Sequence, residues 1–97
     1  MPDLLVQIGG ETLPLRSCHW VLFGPNDCAY GSEYGDGAVD AEQAHKNLRP
    51  YKRDRDRETK QGYRIELLSK TQWQERAAAC FYGTCTHQPL RRAAVTL

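Results

Sequence analysis

The chain has 97 residues, of which 40% are hydrophobic, 26% charged and 9% aromatic, with a net charge of +1. That length suits one domain, and the composition excludes a disordered low-complexity chain and a collagen. No apolar run approaches the roughly 18 residues of a spanning helix, and the Met1-Pro2-Asp3 start has no basic and apolar secretory leader. The expectation is a soluble cytoplasmic protein without membrane contact.

The near-neutral total conceals an asymmetry. Residues 1–44 carry seven acids against Arg16 alone, whereas residues 45–97 carry twelve Lys and Arg against five acids. A chain polarised in this way can fold its halves together, associate head to tail, or turn a basic face to a polyanion.

In chain order, Leu4, Val6 and Ile8 alternate with Leu5 and Gln7, the period of a half-buried strand. Gly9-Gly10 tolerates positive φ and predicts a two-residue hairpin turn into a return strand over Thr12 to Leu15. Pro14 has no N–H to donate, so the return strand belongs at an edge. Ser17 to Phe23 is the best strand in the sequence, with Cys18, Trp20 and Leu22 on one face and His19, Val21 and Phe23 on the other. Gly24-Pro25-Asn26-Asp27 ends it, and residues 28–37 read as a glycine-rich loop.

A helix is predicted from about Ala38 to Arg49, because Ala41, Ala44, His45 and Leu48 share one face and Pro50 stops the run. Residues 51–61 form the most polar stretch. Tyr63, Ile65 and Leu67 then alternate as a strand, and Ser69 with Gln72 has the spacing of a capping box opening a second helix. Trp73, Ala77 and Cys80 form its apolar stripe and Gly83 terminates it. The fold class expected is α+β, with a small, mainly antiparallel sheet of about 3–4 strands and two helices. Residues 1–87 form the single domain, and residues 88–97 are a tail, either disordered or docked as an edge strand.

Four cysteines are many for a small chain of cytosolic composition. Cys18 and Cys28, then Cys80 and Cys85 with His87 beyond, have the two-pair layout of a structural zinc site. A small core stabilises weakly, and soft ligands around Zn²⁺ add free energy comparable with the stability of a whole domain. The gaps of nine and four residues depart from paired CxxC spacing. Buried free thiols and disulfides therefore stand as alternatives, the former supported by the core-like neighbours of Cys18 and Cys80. His87 is a candidate ligand. His19 points away from Cys18, and His45 reads as a packed or surface histidine.

Between residues 49 and 64 seven cations (Arg49, Lys52, Arg53, Arg55, Arg57, Lys60 and Arg64) face three acids, with Tyr51 and Tyr63 near the ends. Arginine forks match phosphate oxygens and tyrosines stack on unpaired bases, which points to nucleic acid. Interleaved Asp54, Asp56 and Glu58 favour the alternative of a solvated surface. The leading expectation is a zinc-stabilised binding module contacting nucleic acid. A second is a protein-binding adaptor or inhibitor using the acidic Tyr/Gly loop at residues 27–37. A third is a small enzyme dependent on a Cys/His pair such as Cys85 and His87, although no catalytic motif accompanies it.

Overall fold

Gly9 and Gly10 adopt φ of +59° and +84°, turning β1 (Leu5–Ile8) directly into β2 (Glu11–Pro14). This hairpin opens a computed structural model that describes residues 4–87. Leu5 pairs with Pro14 and Ile8 with Glu11, and among the described residues β2 has no further strand neighbour, in keeping with Pro14.

In the second sheet β3 (His19–Phe23) lies in the centre, antiparallel to β4 (Ala29–Tyr34) on one side and to β5 (Arg64–Leu68) on the other. Its position explains its sequence: a central strand covered on both faces cannot alternate between apolar and polar residues. Val21 and Phe23 pack with Ala29, Leu68 and Ala77, while Trp20 packs on the opposite face with Leu15, Ala38 and Ala44. Val21 and Leu22 are fully buried and Phe23 is 1% exposed. Burying side chains of this size contributes about 1.5–3 kcal/mol each. The Trp20 indole N–H is shared between the carbonyls of Gly35 and Ala38, at 3.0 and 3.1 Å, so its polar edge is satisfied inside the core.

The five strands and their helices make an α+β fold of two small antiparallel sheets, in agreement with the expected class. Its details depart from the sequence reading in three places. Strand β4 (Ala29–Tyr34) forms inside the expected glycine-rich loop. Leu48 packs over this strand at Gly31, its Cδ2 at ordinary contact distance, 3.5 Å, from where a Cβ would stand. The polar stretch becomes helix α2 (Lys52–Gln61), none of whose residues is buried. It is supported instead by pairs such as Lys52–Asp56 and Arg57–Asp54, each worth a few tenths of a kcal/mol. Finally, the second expected helix is broken at buried Ala77 into α3 (Lys70–Arg76) and α4 (Ala78–Tyr82).

Other local expectations agree with the fold. The first expected helix forms as α1 (Ala41–Leu48), starting later than Ala38 because Asp40 caps it, its Oδ1 accepting from the Gln43 N–H at 2.8 Å. Strand β5 (Arg64–Leu68) directs Ile65 and Leu67 toward the Trp20 side and Leu68 toward the Phe23 side. Ser69 and Gln72 form the reciprocal capping box of α3. Among the described residues no helix is long and apolar enough to cross a membrane. The expected tail at residues 88–97 lies outside the described residues.

Candidate metal centre

Two chain reversals bring the sulfur ligands together. The first is the β3–β4 turn, where the Gly24 N–H donates to the Cys28 carbonyl at 2.9 Å and the Asp27 N–H donates to Gly24 at 2.9 Å. Asp27 takes a φ of +64°, and Asn26 Oδ1 accepts from the Cys28 N–H at 3.3 Å. Gly24 is required in this turn, since a Cβ there would stand 2.6 Å from the Tyr30 ring. The second reversal follows α4. Gly83 adopts φ +76°, and the Thr84 N–H returns to the Ala79 carbonyl at 2.8 Å, folding Cys85 and His87 back over the helix that carries Cys80.

Cys28, Cys80, Cys85 and His87 consequently offer three Sγ atoms and a ring nitrogen within 4.8 Å of one another. Cys28 Sγ lies 3.7 Å from Cys85 Sγ, and Cys80 Sγ lies 3.4 Å from His87 Nδ1. All four residues are half-buried, and the cysteines are free rather than disulfide-bonded. The Cys28–Cys85 separation is far beyond the ~2.05 Å of a disulfide. Cys80 also packs against the Phe23 core, so the cluster is attached to the main body of the fold.

The group is electrically uneven. Burial, reinforced by hydrogen bonds with Cys80 and Cys85, pushes the Cys28 thiol up to about 12. The backbone N–H and side chain of His87 bring Cys85 down to about 7. Three sulfurs and an imidazole with no carboxylate form a soft donor set suited to a late transition ion rather than to calcium or magnesium.

Cys18 is the exception among the expected ligands. It is fully buried before β3, with its Sγ 3.6 Å from the Pro14 carbonyl and 3.9 Å from Ser17 Oγ, and it is outside the Cys28 group. The alternation that places it beside Trp20 and Leu22 is the signal of a core thiol. The compact Cys80/Cys85/His87 spacing carries the signal for the actual group. His19 lies between the rings of Tyr34 and Trp73, with centroids 5.4 and 5.3 Å away, and burial together with the Lys70 charge lowers its pKa. Trp73 is fixed in turn by its indole N–H, which donates to Ser32 Oγ at 3.1 Å.

The basic residues divide between several environments. Lys52, Arg53, Arg57 and Lys60 line the outer face of α2 together with Asp56. Arg53 and Lys60 there have no carboxylate partner among the described residues. Arg49 is instead turned inward, its Nε donating to Glu58 Oε2 at 2.8 Å while Glu58 Oε1 holds His45 Nε2 at 3.0 Å. Arg55 donates to the carbonyls of Arg49 and Pro50. Arg64 is paired with Asp27 and Glu66 and lies 5.0 Å from the Phe23 ring centroid. The continuous basic segment of the sequence is therefore a four-cation helix face plus three residues committed to packing and capping.

No family model matches the chain, and no curated protein or solved structure matches it.

Proposed function

We propose that this chain is a zinc-stapled binding module in which Cys28, Cys80, Cys85 and His87 hold one Zn²⁺. The observation that carries the reading is the convergence of these four donors within 4.8 Å. A tetrahedral zinc with Zn–S of about 2.3 Å and Zn–N of about 2.0 Å spaces its sulfurs about 3.8 Å apart and sulfur from nitrogen about 3.5 Å. Two contacts within the group, 3.7 Å between Cys28 Sγ and Cys85 Sγ and 3.4 Å between Cys80 Sγ and His87 Nδ1, match these edges. Four protein ligands leave no open position for substrate or water, which favours a structural ion over a catalytic one. The metal would clamp the β3–β4 turn to the segment beyond α4.

The binding surface in this reading is the outer face of α2, and its partner is nucleic acid. Lys52, Arg53, Arg57 and Lys60 supply phosphate contacts, and Tyr51, 73% exposed at the N-terminus of the helix, supplies a ring for stacking. Fluorescence anisotropy with a labelled single-stranded oligonucleotide tests it. Log affinity should fall steeply with log salt, and Arg53→Ala or Lys60→Ala should each reduce that slope by about one counterion. Affinity indifferent to salt, or unchanged in both variants, would contradict it.

A second reading is favoured by one observation: Tyr34 is 69% and Val39 73% exposed, beside the acidic residues Glu33, Asp36 and Asp40. Such a surface suits a basic protein partner. A single protein retained after nuclease treatment, and lost with Tyr34→Ala, would favour it over nucleic acid.

A further inference from the structure

We propose that the cleft between α1 and α2, floored by Ile65 of β5, binds a phosphate-class oxyanion. The cleft adjoins the α2 surface described above and shares Lys52 and Asp56 with it, but its distinguishing residue, Arg55, is not part of that surface.

Arg55 carries the argument. It is half-buried and lines this cleft, which encloses about 530 Å³. One nitrogen, Nη1, donates to the Arg49 carbonyl at 2.9 Å and to the Pro50 carbonyl at 2.8 Å. Those two bonds fix the plane of the guanidinium but cancel none of its charge. Among the described residues no carboxylate is bonded to Arg55: Asp56 feels its charge but is bound to Lys52, so the guanidinium is only partly compensated. An oxyanion supplies the missing counter-charge and matches the remaining fork of donors.

The surrounding residues reinforce the same polarity. Lys46, Lys52 and Arg64 also line the cleft, against the carboxylates of Glu42 and Asp56 alone. Both acids belong to exposed i,i+4 pairs, Lys46–Glu42 at 3.7 Å and Lys52–Asp56 at 2.6 Å. Such pairs are worth about 0–1 kcal/mol, so an incoming anion can take over either lysine at little cost. Arg64 is held in place by Asp27 and Glu66, and His45 is held by Glu58. The cleft thus offers the held guanidinium of Arg55 and two exposed lysines whose present partners are weak, a donor set that matches a small tetrahedral anion.

A ¹H–¹⁵N NMR titration of the zinc-loaded full chain with inorganic phosphate tests the proposal. Saturable shifts confined to α1, α2 and the start of β5 are expected, with affinity reduced at least about tenfold by Arg55→Gln. Because Arg55 also caps α1, Lys46→Glu on the exposed rim serves as the second variant and should weaken phosphate to a similar extent while leaving the spectrum folded. Oligonucleotides with and without a 5′-phosphate separate the two sources of the ligand: movement of cleft signals only with the phosphorylated strand assigns the site to nucleic-acid ends. Movement with inorganic phosphate and with neither strand assigns it to small phosphate compounds. Cleft signals that remain still at tens of millimolar phosphate, or that move equally in Lys46→Glu, would overturn the proposal.

Discussion

Cys28 Sγ and Cys85 Sγ lie 3.7 Å apart although 57 residues separate them in the chain. The contact joins a turn between two strands to the segment that follows the last helix, and local turn bonds aim each segment without themselves linking the two. A shared cation would turn this approach into folding free energy, since metal binding to a site absent from the unfolded chain stabilises the fold directly.

The first consequence concerns the cysteines. Cys85→Ser and His87→Ala should each lower zinc affinity about a hundredfold or more, because they remove a donor from the ion. Cys18→Ala should retain full zinc content and lose about 1 kcal/mol of stability through the small cavity it leaves. Competition with a chromophoric chelator, alongside urea denaturation, separates the two behaviours.

A second expectation concerns protons. Cys28, with a thiol at about 12, keeps its proton throughout the neutral range, whereas Cys85, at about 7, is already partly ionised there. A metal bound by both must displace the Cys28 proton, so zinc uptake releases protons and its affinity falls as pH falls. Calorimetric titrations in buffers of different ionisation enthalpy measure the protons released. Zinc binding without proton release at pH 7.5 would be inconsistent with Cys28 as a ligand.

The Glu66 cluster gives the acid limb of stability. Burial tends to raise this carboxyl, but the bonds and charges of Arg76 and Arg64 outweigh it and hold Glu66 below its ordinary value of 4.5. A folded-state pKa below the unfolded one contributes stability that is present above about pH 4.5 and is lost as pH falls through the folded-state value. Urea midpoints in excess chelator should therefore differ most between wild type and Glu66→Gln at neutral pH and converge toward pH 3. A constant difference across that range would remove Glu66 from the acid limb.

Backbone contact sets a fourth expectation. The Gly35 N–H donates to the Cys18 carbonyl at 2.8 Å, and a Cβ on Gly35 would stand 1.9 Å from the Leu15 carbonyl oxygen. Neither backbone can yield without moving Trp20, whose indole donates to Gly35. Gly35→Ala should cost about 3 kcal/mol or more, measured by thermal or urea unfolding. Gly83→Ala, with open space around the added methyl but a φ of +76°, should cost only about 1 kcal/mol.

The features legible in the sequence are those set by local chemistry. The Gly9-Gly10 hairpin, the Ser69 cap and the Gly83 stop each follow from one or two residues. The two-faced apolar character of Trp20 to Phe23 announces a central strand. Helix α2 was hidden because its residues are nearly all charged, so no apolar period marks it; its support comes from Glu58 reaching His45 and Arg49. Strand β4 was hidden because Gly31 within it and Gly35 and Gly37 after it give the segment the composition of a loop. At the metal centre, spacing indicated Cys28, Cys80, Cys85 and His87 but also included Cys18, because separation along the chain does not reveal the direction of a side chain. The alternation with Trp20 and Leu22 was the better guide.

Zinc bound by three thiolates and one imidazole is the central claim, and X-ray absorption at the zinc edge of stoichiometrically loaded protein measures that shell directly. The expected result is one zinc per chain with three sulfur neighbours at about 2.3 Å and one nitrogen at about 2.0 Å. A protein that takes up no zinc, or whose zinc is surrounded by oxygen and nitrogen alone, would contradict it.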